Sequence, residues 1–110
     1  LALQASDIGV WDTDLRNGHS VYDERWAAML GYEVDELEQH FSTWESRVHP
    51  DDLEFCLRTF EAHIEWQDHQ FEIQHRLKKK NGEYAWILSR GRVSEWDESG
   101  EPVRVIAVGG

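Results

Sequence analysis

The segment His49-Pro50-Asp51-Asp52 places an imidazole beside two carboxylates, residue types that bind metals and transfer protons. A metal site needs at least three ligands in an open geometry, and these residues contain no i, i+4 pair that would face one side of a helix. Proline instead suits the first position of a helix, where nearby carboxylates accept free backbone N–H groups. The segment therefore predicts the start of a helix and no metal ligand set.

The six histidines of the chain raise the question of a cofactor ligand. His63 lies one turn after Phe60 at the edge of an apolar stripe, and it is the candidate that the spacing leaves open. The alternative is a boundary histidine near a helix C-terminus, where its charged form complements the helix dipole. His75 alternates with Phe71 and Ile73, so we expect a buried, neutral ring there.

Nucleophilic catalysis has little support in the sequence. Cys56 is the single cysteine, which excludes an internal disulfide, and its place on an apolar stripe predicts a small buried hydrophobe. No Ser-His-Asp or Cys-His set stands in a recognisable motif, and the glycines stand in turns instead of a phosphate-binding loop. We therefore expect no enzymatic activity.

Length and charge narrow the class of protein further. The chain has 110 residues, the size of one domain, and a net charge of −11, which repels the phosphates of nucleic acids. No apolar run approaches the roughly 20 residues that span a bilayer, so direct membrane insertion is not expected. Low cysteine content fits a reducing compartment, and we expect a cytoplasmic protein.

Hydrophobic patterns predict strands, then helices, then strands, which is typical of an α+β domain with an antiparallel sheet. Residues 9–15 alternate as a strand, and Asn17-Gly18 supplies a hairpin turn into a short second strand at 19–23. A short helix over 23–32 is capped by Asp23 and can end at Gly31 in left-handed geometry. Another helix begins near residue 35, and a third over 41–48 is capped by Ser42. A longer helix from Pro50 then carries an apolar stripe at Leu53, Cys56, Leu57, Phe60 and Ile64.

After residue 67 the period changes from 3.6 to 2, which predicts strands over 70–80, 83–96 and 101–110. Apolar residues occupy both faces of the last two strands, so both faces of the sheet need a cover. We expect the helices on one face. A partner is expected on the other: an N-terminal helix ending near residue 7, a second copy of the chain, or both.

The chain resembles PAS domains of the subtype that carries a PAC motif. The stretches that match are IGVWDTDLRNG, YDERWAAMLGY, WESRVHPDD, HRLKKKNGEYAWILSRG and DESGEPVR, in this order and spacing. The resemblance implies a five-stranded antiparallel sheet with short helices and one long helix on one face. The resemblance runs from about Ile8 to Val108 and implies that the chain was taken from a longer protein. We expect a single domain over residues 1–110, with 1–7 as the end of an N-terminal helix and 8–110 as the core.

The resemblance also implies a sensory signal-transduction module, such as those of two-component systems. Such a module regulates an attached output domain, a histidine kinase or a diguanylate cyclase, and forms a homodimer through its N-terminal helix and outer sheet face. There are departures from the family: Thr13 replaces a common second aromatic, and Gln74-His75-Arg76 replaces a common Glu-Tyr-Arg run. The chain also stops before the usual Asp-Ile-Thr signature. Family flavin photosensors carry an Asn-Cys-Arg-Phe motif that the EFCLRTF context of Cys56 lacks.

PAS folds can hold a small molecule between the sheet and the helices, and some haem-binding relatives use a histidine of the long helix, which corresponds here to His63. The alternatives to such a cofactor sensor are a core filled by its own side chains and a purely structural interaction module. The sequence does not identify a cofactor. The residues that we expect to line a pocket are Trp11, Trp26, Leu30, Trp44, Phe60, Phe71, Trp86 and Leu88.

Overall fold

A five-stranded antiparallel sheet forms the centre of the computed structural model, which describes residues 8–66 and 70–110. The strands are β1 (Gly9–Asp14), β2 (Ser20–Tyr22), β3 (Phe71–Lys78), β4 (Tyr84–Trp96) and β5 (Pro102–Gly109), in the spatial order β2-β1-β5-β4-β3. The helices are α1 (Glu24–Met29), a 3₁₀ turn (Val34–Glu36), α2 (Phe41–Glu45) and α3 (Pro50–Trp66). This architecture confirms the predicted α+β class and element order. The helix predicted over 1–7 lies outside the described residues.

Local sequence signals explain how the short helices begin and end. The Asp23 carboxylate accepts a hydrogen bond from the Trp26 N–H at 2.8 Å, and Gly31 follows α1 with a φ of 86°, as predicted. The expectation that Ser42 caps α2 is wrong. His40 holds that position, since its Nδ1 accepts from the Ser42 N–H at 3.1 Å, and Ser42 itself already lies inside the helix.

The two faces of the sheet differ in what covers them. Ile87 and Val93 of β4 point into the core with Val105 of β5, whereas Trp86 and Leu88 point outward and remain 61% and 39% exposed. The prediction that Trp86 and Leu88 line an internal pocket is therefore wrong. Alternation correctly grouped them on one face, but that face is the one opposite the helices.

Helix α3 begins at Pro50, as predicted from the sequence, and its first turn also covers one edge of the sheet. The Asp52 carboxylate accepts from the backbone N–H of Arg76 at 2.9 Å and from its guanidinium at 2.8 and 3.0 Å. The His49 N–H donates to the Arg76 carbonyl, and the Lys78 N–H donates to the Arg47 carbonyl. The edge of β3 that no other strand pairs with is thus hydrogen-bonded, at Arg76 and Lys78, by the segment that leads into α3.

The apolar stripe predicted for α3 faces the core over the part that the structure describes, with Cys56 fully buried and Leu53, Leu57 and Phe60 packed beside it. The side chain of Ile64 lies outside that part. Within residues 8–66 and 70–110, no helix combines the length and apolar character required to cross a bilayer.

Candidate functional site

A cavity of about 230 Å³ lies between α3 and the inner face of the sheet. Four aromatic side chains line it: Trp11 of β1, Phe41 of α2, Phe60 of α3 and Phe71 of β3. The aliphatic residues Leu15, Leu57 and Val105 complete its apolar wall. Its volume is below the roughly 300–1,000 Å³ of pockets that enclose drug-sized ligands, so it suits a smaller molecule.

Strand and helix periodicity bring these side chains together. Alternate residues of a strand share one face, which turns Trp11 and Thr13 inward from β1. Residues three and four apart share one side of a helix, which places Leu57, Phe60 and Glu61 along the same stretch of α3. The rings then meet edge to face, with centroids 6.1 Å apart for Trp11 and Phe60.

Three polar residues also line the cavity, and two of them are already hydrogen-bonded. The Thr13 hydroxyl shares a 2.7 Å hydrogen bond with the Ser20 hydroxyl. The Val93 N–H donates to Nε2 of His63 at 3.3 Å. Glu61 is the third; it lines the cavity and is exposed to solvent. The interior surface is therefore apolar and aromatic, with a carboxylate at its mouth.

His63 is buried, with 4% of its surface exposed, and its ring packs edge to face on Phe71 at 5.4 Å. The interpretation of His63 as a residue near the helix C-terminus is correct in position, since His63 lies in the last turn of α3, but its side chain is buried. Its place on the cavity wall brings it to the position a cofactor ligand would need. However, its Nε2 lone pair accepts from Val93, and about 230 Å³ is little space for a macrocycle, so these residues do not fit haem in this arrangement.

A second layer of buried hydrogen bonds supports the cavity wall. The Trp44 indole N–H donates to Nε2 of His75 at 3.2 Å, and the Trp44 backbone N–H donates to the Tyr22 hydroxyl. Trp44 also packs on Phe60 with ring centroids 5.3 Å apart. Burial lowers the pKa of His75, and burial raises the pKa of Tyr22 to about 12, so both side chains are neutral at neutral pH.

The predicted lining residues divide into three groups. Trp11, Phe60 and Phe71 lie on the cavity wall. Trp26, Leu30 and Trp44 are buried in the surrounding core, and Trp86 and Leu88 are outside it. The wall also includes residues that were not predicted to line a pocket, namely Thr13, Leu15, Phe41, Leu57, Glu61 and Val105. Leu57 could have been found from the apolar stripe, and Thr13 from its alternation with Trp11, whereas Glu61 lies outside the stripe.

Metal and thiol chemistry have no assembled site in the described part of the chain. Residues 8–66 and 70–110 contain no group of three or more metal-ligating side chains. Cys56 is buried, and burial raises the pKa of its thiol to about 11, so little reactive thiolate is present at neutral pH.

The outer face of the sheet carries a second feature, an exposed apolar patch. Its members are Tyr84, Trp86 and Leu88, at alternate positions of β4, and Val108 of β5. The Arg76 guanidinium packs over the Trp86 ring at 4.9 Å and is held there by Asp52. We refer to the four apolar residues as the outer patch. A flat apolar patch of this kind is a common mark of an interaction site.

A twisted antiparallel sheet with helices on one face and a small cavity beneath the longest helix is the architecture of a small sensory domain. The family model described as PAS fold matches residues 19–109, and the chain belongs to this family. It is a sensory signal-transduction module. The resemblance read from the sequence is thus confirmed.

Three solved structures illustrate the similarity. A sensory box histidine kinase/response regulator from Burkholderia thailandensis is 28% identical, with a TM-score of 0.84 over 99% of this chain and 79% of that one. The N-terminal domain of a diguanylate cyclase with PAS/PAC sensor from Marinobacter aquaeolei is 22% identical, with a TM-score of 0.80 over 94% and 93%. A PAS domain from Colwellia psychrerythraea is 18% identical, with a TM-score of 0.75 over 99% and 92%. No curated protein sequence matches the chain.

Proposed function

We propose that this chain is the input domain of a longer signalling protein, in which it binds a small molecule and regulates an attached output domain. The cavity beneath α3 is the sensing site, and the outer patch is the surface through which two copies associate. The domain itself performs no catalysis and works in the cytoplasm. The single observation that supports the proposal is the arrangement of the sheet, which has a ligand-sized cavity on one face and an exposed apolar patch on the other.

The cavity supports the sensing half of the proposal. An aromatic wall with few polar groups is the usual composition of a small-molecule site. Ring packing continues from the cavity through Phe60 and Trp44 to His75 of β3. A molecule that displaces Phe60 would therefore press on the strand that pairs with β4, which carries most of the outer patch.

The outer patch supports the dimer half. Tyr84, Trp86 and Leu88 form a continuous row along β4, and buried aromatic residues are the usual centres of binding energy in protein interfaces. The output domain is proposed as a histidine kinase or a diguanylate cyclase, because the solved structures from Burkholderia thailandensis and Marinobacter aquaeolei come from such proteins.

Sedimentation equilibrium of the chain tests the dimer. We expect Trp86→Ala to weaken self-association at least about tenfold, because it removes the largest apolar side chain of the outer patch. Phe55→Ala is the matched control, since Phe55 is equally exposed but lies on α3, on the opposite layer. Equal association constants for the wild type and Trp86→Ala would refute this interface.

The competing functions give different results in simple measurements. A purely structural interaction module would show a dimer and no bound small molecule by native mass spectrometry. A haem sensor would show a Soret absorption band that His63→Ala removes, although the hydrogen bond from Val93 to His63 favours the small-molecule reading.

A further inference from the structure

The mouth of the cavity carries the negative charge of Glu61. Arg58 lies three residues before Glu61 but pairs with Glu54 instead. Within residues 8–66 and 70–110, no arginine or lysine lines the cavity, and no side chain forms an ion pair with Glu61. A ligand that enters therefore meets an unneutralised carboxylate.

The other polar residues of the cavity add no positive charge. Nε2 of His63 accepts a hydrogen bond from the Val93 N–H, and a nitrogen that accepts carries no proton. The Thr13 hydroxyl is neutral and shares its hydrogen bond with Ser20. Among the described residues that line the cavity, Glu61 is the one that carries a charge in this arrangement.

The aromatic wall also favours a positively charged ligand. Ring faces carry negative electrostatic potential and attract cations, and Trp11, Phe60 and Phe71 stand edge to face around the cavity with centroid distances of 6.1 and 4.9 Å. The net charge of −11 adds a long-range field that attracts cations and repels anions.

We infer that the cavity selects a small apolar amine, with its apolar body against the aromatic wall and its ammonium group at Glu61, and that it discriminates against carboxylates. This inference rests on the proposed role of the cavity as the sensing site. It adds the charge of the ligand, which neither the fold nor the family determines, and the cavity volume of about 230 Å³ limits the ligand to roughly the size of a two-ring molecule.

Calorimetric titration with three probes of one scaffold tests the inference. Indole is neutral, tryptamine carries an ammonium group and indole-3-acetate carries a carboxylate. We expect tryptamine to bind about fivefold more tightly than indole, and indole-3-acetate to bind about fivefold more weakly than indole. These factors are modest because solvent screens the charge of an exposed carboxylate. Glu61→Gln should reduce both ratios towards one and leave the affinity for indole unchanged. Glu54→Gln is the matched control on the same helix and should keep the wild-type ratios.

Each outcome either supports or overturns the inference that the cavity selects an amine. Indole-3-acetate binding as tightly as tryptamine overturns the inference but leaves the cavity as a small-molecule site. Charge ratios that survive Glu61→Gln, or that fall equally in Glu54→Gln, also overturn it. If none of the three probes binds, both the inference and the proposed sensing site fail, whereas the sedimentation result for Trp86→Ala still decides the dimer independently.

Discussion

The hydrogen bond between Trp44 and His75 lies in the core, so its removal should have a measurable cost. In His75→Phe a ring of similar size replaces the imidazole but offers no acceptor to the Trp44 indole N–H. Leaving one buried donor unsatisfied costs about 1–3 kcal/mol. For a domain of this size we expect the melting temperature at neutral pH to fall by about 5–15 °C.

The same substitution should change how stability depends on pH. Burial lowers the pKa of His75 in the folded protein, whereas the unfolded side chain titrates near its ordinary value of about 6.5. Below that pH the unfolded chain binds a proton that the folded chain does not, so wild-type stability falls by up to about 1.4 kcal/mol per pH unit. The stabilisation from the neutral ring is thus complete above pH ~6.5 and is lost on acidification.

The unfolded His75→Phe variant has no imidazole to bind this proton. The difference in unfolding free energy between the wild type and the variant should therefore narrow by up to about 2 kcal/mol between pH ~7.5 and pH ~5. Urea unfolding followed by tryptophan fluorescence at several pH values measures the gap. His19→Phe is the control, because His19 is exposed, and it subtracts the effect of losing a histidine outside the core. A gap for His75→Phe that stays constant across this range would refute the reasoning.

Two further predictions concern α3. At neutral pH Asp52→Asn should lower the urea midpoint more than Asp51→Asn, because Asp52 binds Arg76 whereas Asp51 is exposed. Hydrogen bonds and charge from Arg76 lower the pKa of Asp52, so this difference is present above pH ~4 and disappears as the pH falls further; equal midpoints at neutral pH would contradict it. Burial raises the pKa of Cys56 to about 11. We therefore expect a thiol-specific disulfide reagent to leave the folded protein unlabelled at neutral pH and to label it fully in urea. Equal labelling rates in the two conditions would count against a buried thiol.

Much of the fold could be predicted from local patterns. Alternation correctly separated Trp86 and Leu88 from Ile87, and the Asp23 cap and the turn at Gly31 were visible as residue types at suitable spacing. The patterns could not show which face of β4 meets the helices, because both faces are apolar. Only the pairing of β4 with β3 and β5, and the docking of α3, decide that question.

The site was harder to predict because it depends on contacts between distant residues. His63 is a boundary residue in helical spacing, and it is buried only because β4 brings Val93 against it. Asp52 had an adequate local role in the first helical turn, yet its partner Arg76 lies 24 residues further along. Glu61 lies outside the apolar stripe of α3, and its place on the cavity wall depends on how α3 packs against the sheet.

The covered edge of β3 has a consequence for how copies of this domain can assemble. An open strand edge accepts another strand, and each addition presents a new edge, so growth has no natural end. Here His49, Arg47 and Asp52 occupy the outer hydrogen-bonding groups of β3 at Arg76 and Lys78, and the opposite edge strand, β2, is only three residues long. Association through a face of the sheet is different, because the contact buries that face and leaves none of it for another copy. In the proposed pairing through the outer patch, a two-fold pair is complete and adds no further copies.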